Sequence, residues 1–260
     1  MEFNTLLIEN ADGVAILTIN SPSTLNALNS EVLCELECAL YELSLDSSVK
    51  VVVLTGAGDK AFVAGADIKE MSSKNSLEGH QFALKGQRVM LMIEKMAQPV
   101  IAAVNGYALG GGLELALSCD FIYASEKAKL GFPEVTLGII PGFGGTQNLP
   151  RLIGSKKANE LMFCGKTISA EKAQAWGLVN EVFPPEELLS KTMETAKAIA
   201  NVGTLAVAYV KNAIVNGLNM GKEDGFRYEA SQFGVLFASE DTKEGMRAFV
   251  EKRKAVFTGR

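Results

Sequence analysis

Three consecutive glycines, Gly110, Gly111 and Gly112, run into a single acid, Glu114, within an otherwise apolar stretch, NGYALGGGLELALSCD (residues 105–120). Each glycine weakens a helix by roughly 1 kcal/mol relative to alanine. A lone charge on an apolar face is costly to bury. Both features make sense if the stretch meets a ligand. A glycine run opening a helix exposes backbone N–H groups, lets a ligand come close, and adds the field of the helix N-terminus. Gly111 N–H is then one donor. A second small-residue loop, Ala64-Gly65-Ala66-Asp67, offers Ala66 N–H as another. Two convergent donors form an oxyanion hole, suited to an enolate-like charge on a carbonyl. The acids form a matching pair. Glu114 lies about one turn past Gly111, and Glu134 follows the stiffening Pro133 in Gly131-Phe132-Pro133-Glu134. Two carboxylates in a dry pocket can divide acid and base duties on one water.

Each loop follows an apolar run that reads as a buried strand: KVVVLTG (50–56), PVIAAVNG (99–106) and DFIYAS (120–125). Ligands collect at the carboxyl ends of parallel strands, so the three loops can converge on one cleft. Upstream, TLLIEN and VAILTIN read as a hairpin turning at Ala11-Asp12-Gly13. Leu33, Leu36, Leu40 and Leu43 make one helical stripe, capped by Asn29 or Ser30. Residues 57–71 read as a loop leading to a helix over 77–96. VNEVF (179–183) is the last convincing strand, and residues 186–260 read as helices alone. Asp241 and Glu244 give a D-x-x-E capping signature for the last helix. These terminal helices cannot build a large core alone and must pack on the rest of the chain or on another subunit. Alternating strands and helices make the fold class α/β with parallel strands. The expected division is a catalytic core over 1–195 and a helical oligomerisation region over 196–260.

Composition narrows the function. The chain has 260 residues and a net charge of −5, which speaks against a nucleic-acid partner. Its one histidine, His80, rules out a His-rich zinc site and lies in a polar stretch with no G-x-S-x-G partner. No metal ligand set is expected. Cys34, Cys38, Cys119 and Cys164 read as reduced thiols. With no basic leader followed by an apolar core, the expectation is a cytoplasmic protein. Residues 100–119 approach membrane-spanning length, but Asn105, Glu114 and the glycines favour a buried strand-turn-helix, so no membrane partner is expected. G-x-G-x-x-A in VVVLTGAGDKAF lacks the helix and acid of a dinucleotide site, and Gly165-Lys166-Thr167 lacks the first glycine of a P-loop. Taken singly, the glycines are packing devices, Glu114 a satisfied structural acid and Glu134 a surface residue. Together, with no His, metal or nucleotide motif competing, they favour a functional reading.

The chain also resembles the crotonase (enoyl-CoA hydratase/isomerase) superfamily. The resemblance is carried in order by LNAL (25–28), KAFVAGADIKEM (60–71), AAVNGYALGGGLELALSCD (102–120), FPEVTLGIIPGFGGTQNLPRLIG (132–154) and FVEKRKAVF (249–257). It implies a spiral α/β core of strand-strand-helix (ββα) units with a C-terminal helical trimerisation region. It also implies a homotrimer or a homohexamer of paired trimers. The implied ligand is a coenzyme A thioester, with no cofactor besides. By position, Ala66 and Gly111 would donate to the thioester oxygen, while Glu114 and Glu134 hold the catalytic water. Glu134 would serve the α carbon and Glu114 the water adding at the β carbon. Ala64, Ala66, Asp67, Ile68 and Lys69 would lie along the coenzyme, and Phe249 and Lys252 would reach the ligand from a neighbouring subunit. The paired acids favour a short-chain enoyl-CoA hydratase, equivalently a 3-hydroxyacyl-CoA dehydratase. The alternatives are an enoyl-CoA isomerase, a branched-chain hydratase and, last, a non-catalytic acyl-CoA binder. Two departures stand out. Ser23-Thr24 replaces a basic residue before LNAL, and Phe132 replaces the Gln often found before Pro-Glu. Phe132 is expected to shorten the acyl pocket and to raise the pKa of its neighbouring acid by desolvation.

Overall fold

The computed structural model describes residues 3–260. β1 (Leu6–Ala11) and β2 (Val14–Ile19) form the expected hairpin, in register from Leu6 opposite Ile19 to Ala11 opposite Val14. Asp12 and Gly13 turn it with φ of 55° and 80°, the left-handed pair that suits the twist of the strands. β3 (Val51–Gly56), β5 (Val100–Val104), β7 (Phe121–Ser125) and β10 (Glu181–Phe183) extend this sheet in parallel, in the order β1-β2-β3-β5-β7-β10.

A second sheet was not legible in the sequence. β4 (Ala61–Val63), β6 (Tyr107–Leu109), β8 (Lys129–Gly131) and β9 (Thr167–Ser169) pair in that order, the first three in parallel. Each has three residues, too short for alternation to register. The stretch 57–71, read as loop, thus holds β4 and a short helix, α2 (Ile68–Met71). The path repeats: a strand in the large sheet, a strand in the small sheet, then a helix. β3-β4 leads through α2 to α3 (Ser76–Lys95), and β5-β6 to α4 (Gly111–Ser118). β7-β8 leads through a short 3-10 turn (Glu134–Leu137) to α5 (Gly145–Ile153) and α6 (Ser155–Phe163). This is the spiral of ββα units that the resemblance implied.

The main core lies between the large sheet and the helices. α1 (Ser30–Leu45) buries Val32, Leu33, Leu36, Ala39, Leu40 and Leu43, and Asn29 caps it by accepting from Val32 N–H. α3 starts at a reciprocal Asn75–Glu78 capping box and buries Phe82, Gly86, Val89, Met90 and Ile93. After β9 and α7 (Ala170–Ala175), α8 (Leu188–Ala200) covers the opposite face of the sheet, packing Leu188 and Ala196 against Val51, Val53 and Ile101. The expected division at residue 195 falls inside this helix.

α9 (Thr204–Gly217) and α10 (Lys222–Leu236) pack on each other and bury only Lys211. The Lys211 ammonium donates to Asp120 Oδ2 at 2.8 Å, Ile93 O at 2.8 Å and Gln98 O at 3.1 Å, which ties α9 to the core. α11 (Glu240–Val250) corrects one expectation: its cap is Ser239, which accepts from Thr242 N–H. Asp241 is buried and binds the C-terminal tail, accepting from Thr258 N–H at 2.6 Å and Gly259 N–H at 2.8 Å. Among the described residues no single helix is long and apolar enough to cross a membrane, and 100–119 is occupied by β5, β6 and α4.

Candidate active site

A cleft of about 830 Å³ opens where β4, β6 and β8 end. Ala64, Ala66, Ile68, Gly111, Glu114 and Glu134 all line it. Asp67 and Lys69 do not. The Asp67 carboxylate is turned back to cap α2, accepting from Lys69 N–H at 2.8 Å and Glu70 N–H at 3.2 Å, and Lys69 points to solvent. Phe249 and Lys252 also lie off the cleft of their own chain, Phe249 being 86% exposed.

The three glycines have three separate reasons. Gly110 has φ 49°, and a Cβ there would sit 2.5 Å from Glu134 Oε1. Bare backbone is what lets that carboxylate in. Gly111 opens α4, so its N–H has no intrahelical acceptor. A Cβ on it would come 3.5 Å from Ala66 N. Gly112 packs against β4, where a Cβ would meet Val63 O at 2.0 Å. Ala66 is aimed by LNAL. Leu28 N–H donates to Gly65 O at 2.8 Å, and Asp67 N–H donates to Leu28 O at 2.9 Å. That parallel bridge turns Ala66's own N–H away from Leu28. Among the described residues neither Ala66 N–H nor Gly111 N–H donates to a protein acceptor.

The two acids sit beside these donors. Glu114 is 2% exposed, and its Oε1 accepts from Phe143 N–H at 2.8 Å and Gly145 N–H at 2.7 Å. Glu134 is 8% exposed, and its Oε2 is buried with no hydrogen-bond donor among the described residues. An unsatisfied buried oxygen is expensive, which marks a working group rather than a structural one. Burial, reinforced by the charge of Glu134, pushes Glu114 up to about 7, against the opposing pull of the Gly145, Phe143 and Gly144 N–H groups. Burial raises Glu134 as well. Two raised acids in one cleft titrate as a pair. Among the described residues no three His, Cys, Asp or Glu side chains gather in a metal-ligating group.

Phe132 departs from its expected place. It is 1% exposed and does not line the cleft, so it does not shorten the acyl pocket. Its ring packs behind Gly145, whose Cβ position lies 2.7 Å from Phe132 and 3.0 Å from Glu114 Cγ. Its apolar bulk therefore helps keep water from Glu114. Sequence reading also missed Phe143. This residue lines the cleft, packs at 5.4 Å against Phe82 with the rings tilted by 58°, and fills the space above Gly86, where a Cβ would lie 2.2 Å from its ring. The only signal was GFGGTQ, whose glycines read as a loop.

The raised Glu114 pKa has a stability consequence. The folded value of about 7 stands above the usual glutamate value of 4.5, so the native state binds the extra proton. Its favourable contribution is full below pH 4.5 and is lost as pH rises through 7, a change of about 3 kcal/mol. Glu114→Gln keeps an oxygen for Phe143 and Gly145 N–H but carries no charge. Its urea-unfolding free energy should fall less between pH 5 and pH 8 than that of the wild type, and the variant should be the more stable at pH 8. Equal slopes in the two proteins would contradict a raised Glu114.

The fold and site define a class: the chain belongs to the enoyl-CoA hydratase/isomerase family, whose model matches residues 9–260. It is 48% identical to the short-chain-enoyl-CoA hydratase of Clostridium acetobutylicum over 98% of this chain and 97% of the relative. It is 47% identical to the crotonyl-CoA hydratase of Syntrophomonas wolfei, with 99% of each covered. The crystal structure of an enoyl-CoA hydratase from Bacillus anthracis superposes with a TM-score of 0.96 at 42% identity, covering 99% of this chain and all of that one.

Proposed function

We propose that the protein is a short-chain enoyl-CoA hydratase. It adds water reversibly to a trans-2-enoyl-CoA such as crotonyl-CoA and, in reverse, dehydrates the 3-hydroxyacyl thioester. The observation that carries this reading is the pairing of two buried carboxylates with two unpartnered N–H groups in one cleft. The thioester oxygen accepts from Ala66 and Gly111 N–H, which draws electron density from the β carbon. Glu114, ionised, takes a proton from the water as its oxygen bonds to the β carbon. Glu134, protonated, delivers a proton to the α carbon as the enolate collapses. A proton then passes from Glu114 to Glu134 and restores the starting state. The chemistry is acid–base throughout, and the coenzyme belongs to the substrate. The direct test is loss of the enoyl absorbance of crotonyl-CoA on adding enzyme; a chain that binds the thioester without turnover refutes the proposal.

The same reading includes a trimer or a dimer of trimers. Support comes from the apolar surface of α9 and α10, where Val210, Ile214, Leu218, Phe226 and Phe233 are all more than half exposed. Phe249 and Lys252, off the cleft of their own chain, are then free to reach a neighbour's ligand. Sedimentation velocity should give three or six times 27.8 kDa.

Phe143 should set the length of acyl group accepted. Phe143→Ala keeps the N–H that serves Glu114 but removes a wall of the cleft. The ratio of kcat/KM for octenoyl-CoA over crotonyl-CoA should then rise by roughly 10-fold or more. An unchanged ratio across C4 to C16 enoyl-CoAs would place the limit elsewhere.

A further inference from the structure

Glu114 is held by the N–H of the peptide joining Gly142 to Phe143, and the carbonyl of that same peptide accepts from Gln87 Nε2 at 2.9 Å. Gln87 projects from α3, in a different turn of the spiral, and is itself half-buried at the edge of the cleft. The approach is built for this contact. Gly86 makes room for the Phe143 ring, and a Cβ on Gly142 would rest 3.7 Å from Ala83 Cβ. Small residues on α3 thus let the loop lie against the helix, and Gln87 grips one of the two peptides that serve the acid. We infer that Gln87 is a positioning residue for Glu114, acting through the Gly142–Phe143 peptide. A donor on the carbonyl polarises the peptide and strengthens its N–H as a donor to the carboxylate. It also fixes the peptide plane, and with it the direction of the N–H.

The inference rests on the catalytic role proposed for Glu114. Besides Glu114, the cleft and the neighbouring α3–α5 contact carry further charged groups. Glu134 faces Glu114 across the cleft. Lys74, paired with Glu70, lies at the cleft wall. Glu94, bonded to Asn148, joins α3 to α5. Gln87 carries no charge, so its replacement by a neutral residue leaves this field intact. What changes is the hydrogen-bond chain ending on Glu114.

The test is Gln87→Met, which keeps the length of the side chain and removes the donor. The ionised form of Glu114 should lose support. The acid limb of the kcat/KM profile for crotonyl-CoA should move up by roughly 0.2–0.5 pH unit, the size expected when cooperative polarisation changes one charge-assisted hydrogen bond by ~10–30%. kcat should fall with KM nearly constant. In a Glu114→Gln background, Gln87→Met should leave the residual rate unchanged, whereas a loosened loop would lower it again. An unmoved acid limb in a folded Gln87→Met enzyme, or an equal loss in both backgrounds, overturns the inference while leaving the hydratase reading intact. If Glu114→Gln alone retained full activity, the failure would instead lie with the catalytic role of Glu114.

Discussion

Glu134→Gln and Glu114→Gln should each lower kcat for crotonyl-CoA hydration by roughly 10²–10⁴-fold, the span for losing a positioned general acid or base. KM should change far less, because neither acid is asked to hold the coenzyme. The double variant should be little worse than either single one, since the two carboxylates work on one water as a unit. The geometry supports the size of the effect. Glu134 Oε2 is buried without a donor, and Glu114 Oε1 is fixed by two N–H groups at 2.7 and 2.8 Å. Glu114→Gln should also leave a folded protein, for the stability reason given above. Steady-state kinetics on both variants decides the matter, and near-full rate in both defeats the mechanism.

Gly111→Ala should be as damaging to the rate while sparing the fold. A Cβ at this position lies 3.5 Å from Ala66 N and 3.2 Å from the Phe143 ring. The first contact puts a methyl group at the proposed oxyanion hole, beside Ala66 N. The second asks an aromatic ring to give by a few tenths of an ångström. Losing one oxyanion donor costs roughly 10²–10³ in kcat, and a blocked hole should lose at least that. Gly112→Ala is the contrasting case. Its Cβ would meet Val63 O, a backbone atom of β4, at 2.0 Å. That variant should lose thermal stability or fail to accumulate. If thermal melts and kinetics fail to separate the two substitutions, the distinct duties assigned to adjacent glycines are wrong.

The parts that were legible in the sequence are those with a repeating pattern or a strong local cue. Helix α1 announced itself through leucines at helical spacing and Asn29 as its cap. The central strands of the large sheet, β3 and β5, are apolar runs buried on both faces as parallel strands are. The small sheet was invisible because three residues cannot show a period. Asp241 was misread as a capping residue because its partners, Thr258 and Gly259, lie at the other end of a long excursion that no local pattern encodes. The site was legible in kind but not in detail. Glycines and lone acids advertised Gly111, Glu114 and Glu134. Nothing local said that the Glu114 carboxylate would be seated by Phe143 and Gly145, or that Leu28 would aim Ala66. Those relations cross between turns of the spiral, and only the fold brings them together.

The small sheet has a role beyond covering the core. Ala66, Gly111 and Glu134 each follow one of its strands, and those strands are β4, β6 and β8, immediate neighbours. Adjacent strands lie about 4.8 Å apart because backbone hydrogen bonds set the distance, not side chains. The sheet is therefore a ruler. It sets the spacing of the strand ends from which these residues depart. Swapping one acid for another group would change the reaction and leave the graduations untouched. A scaffold of that kind can keep its grip on a thioester while its chemistry is rewritten one loop at a time.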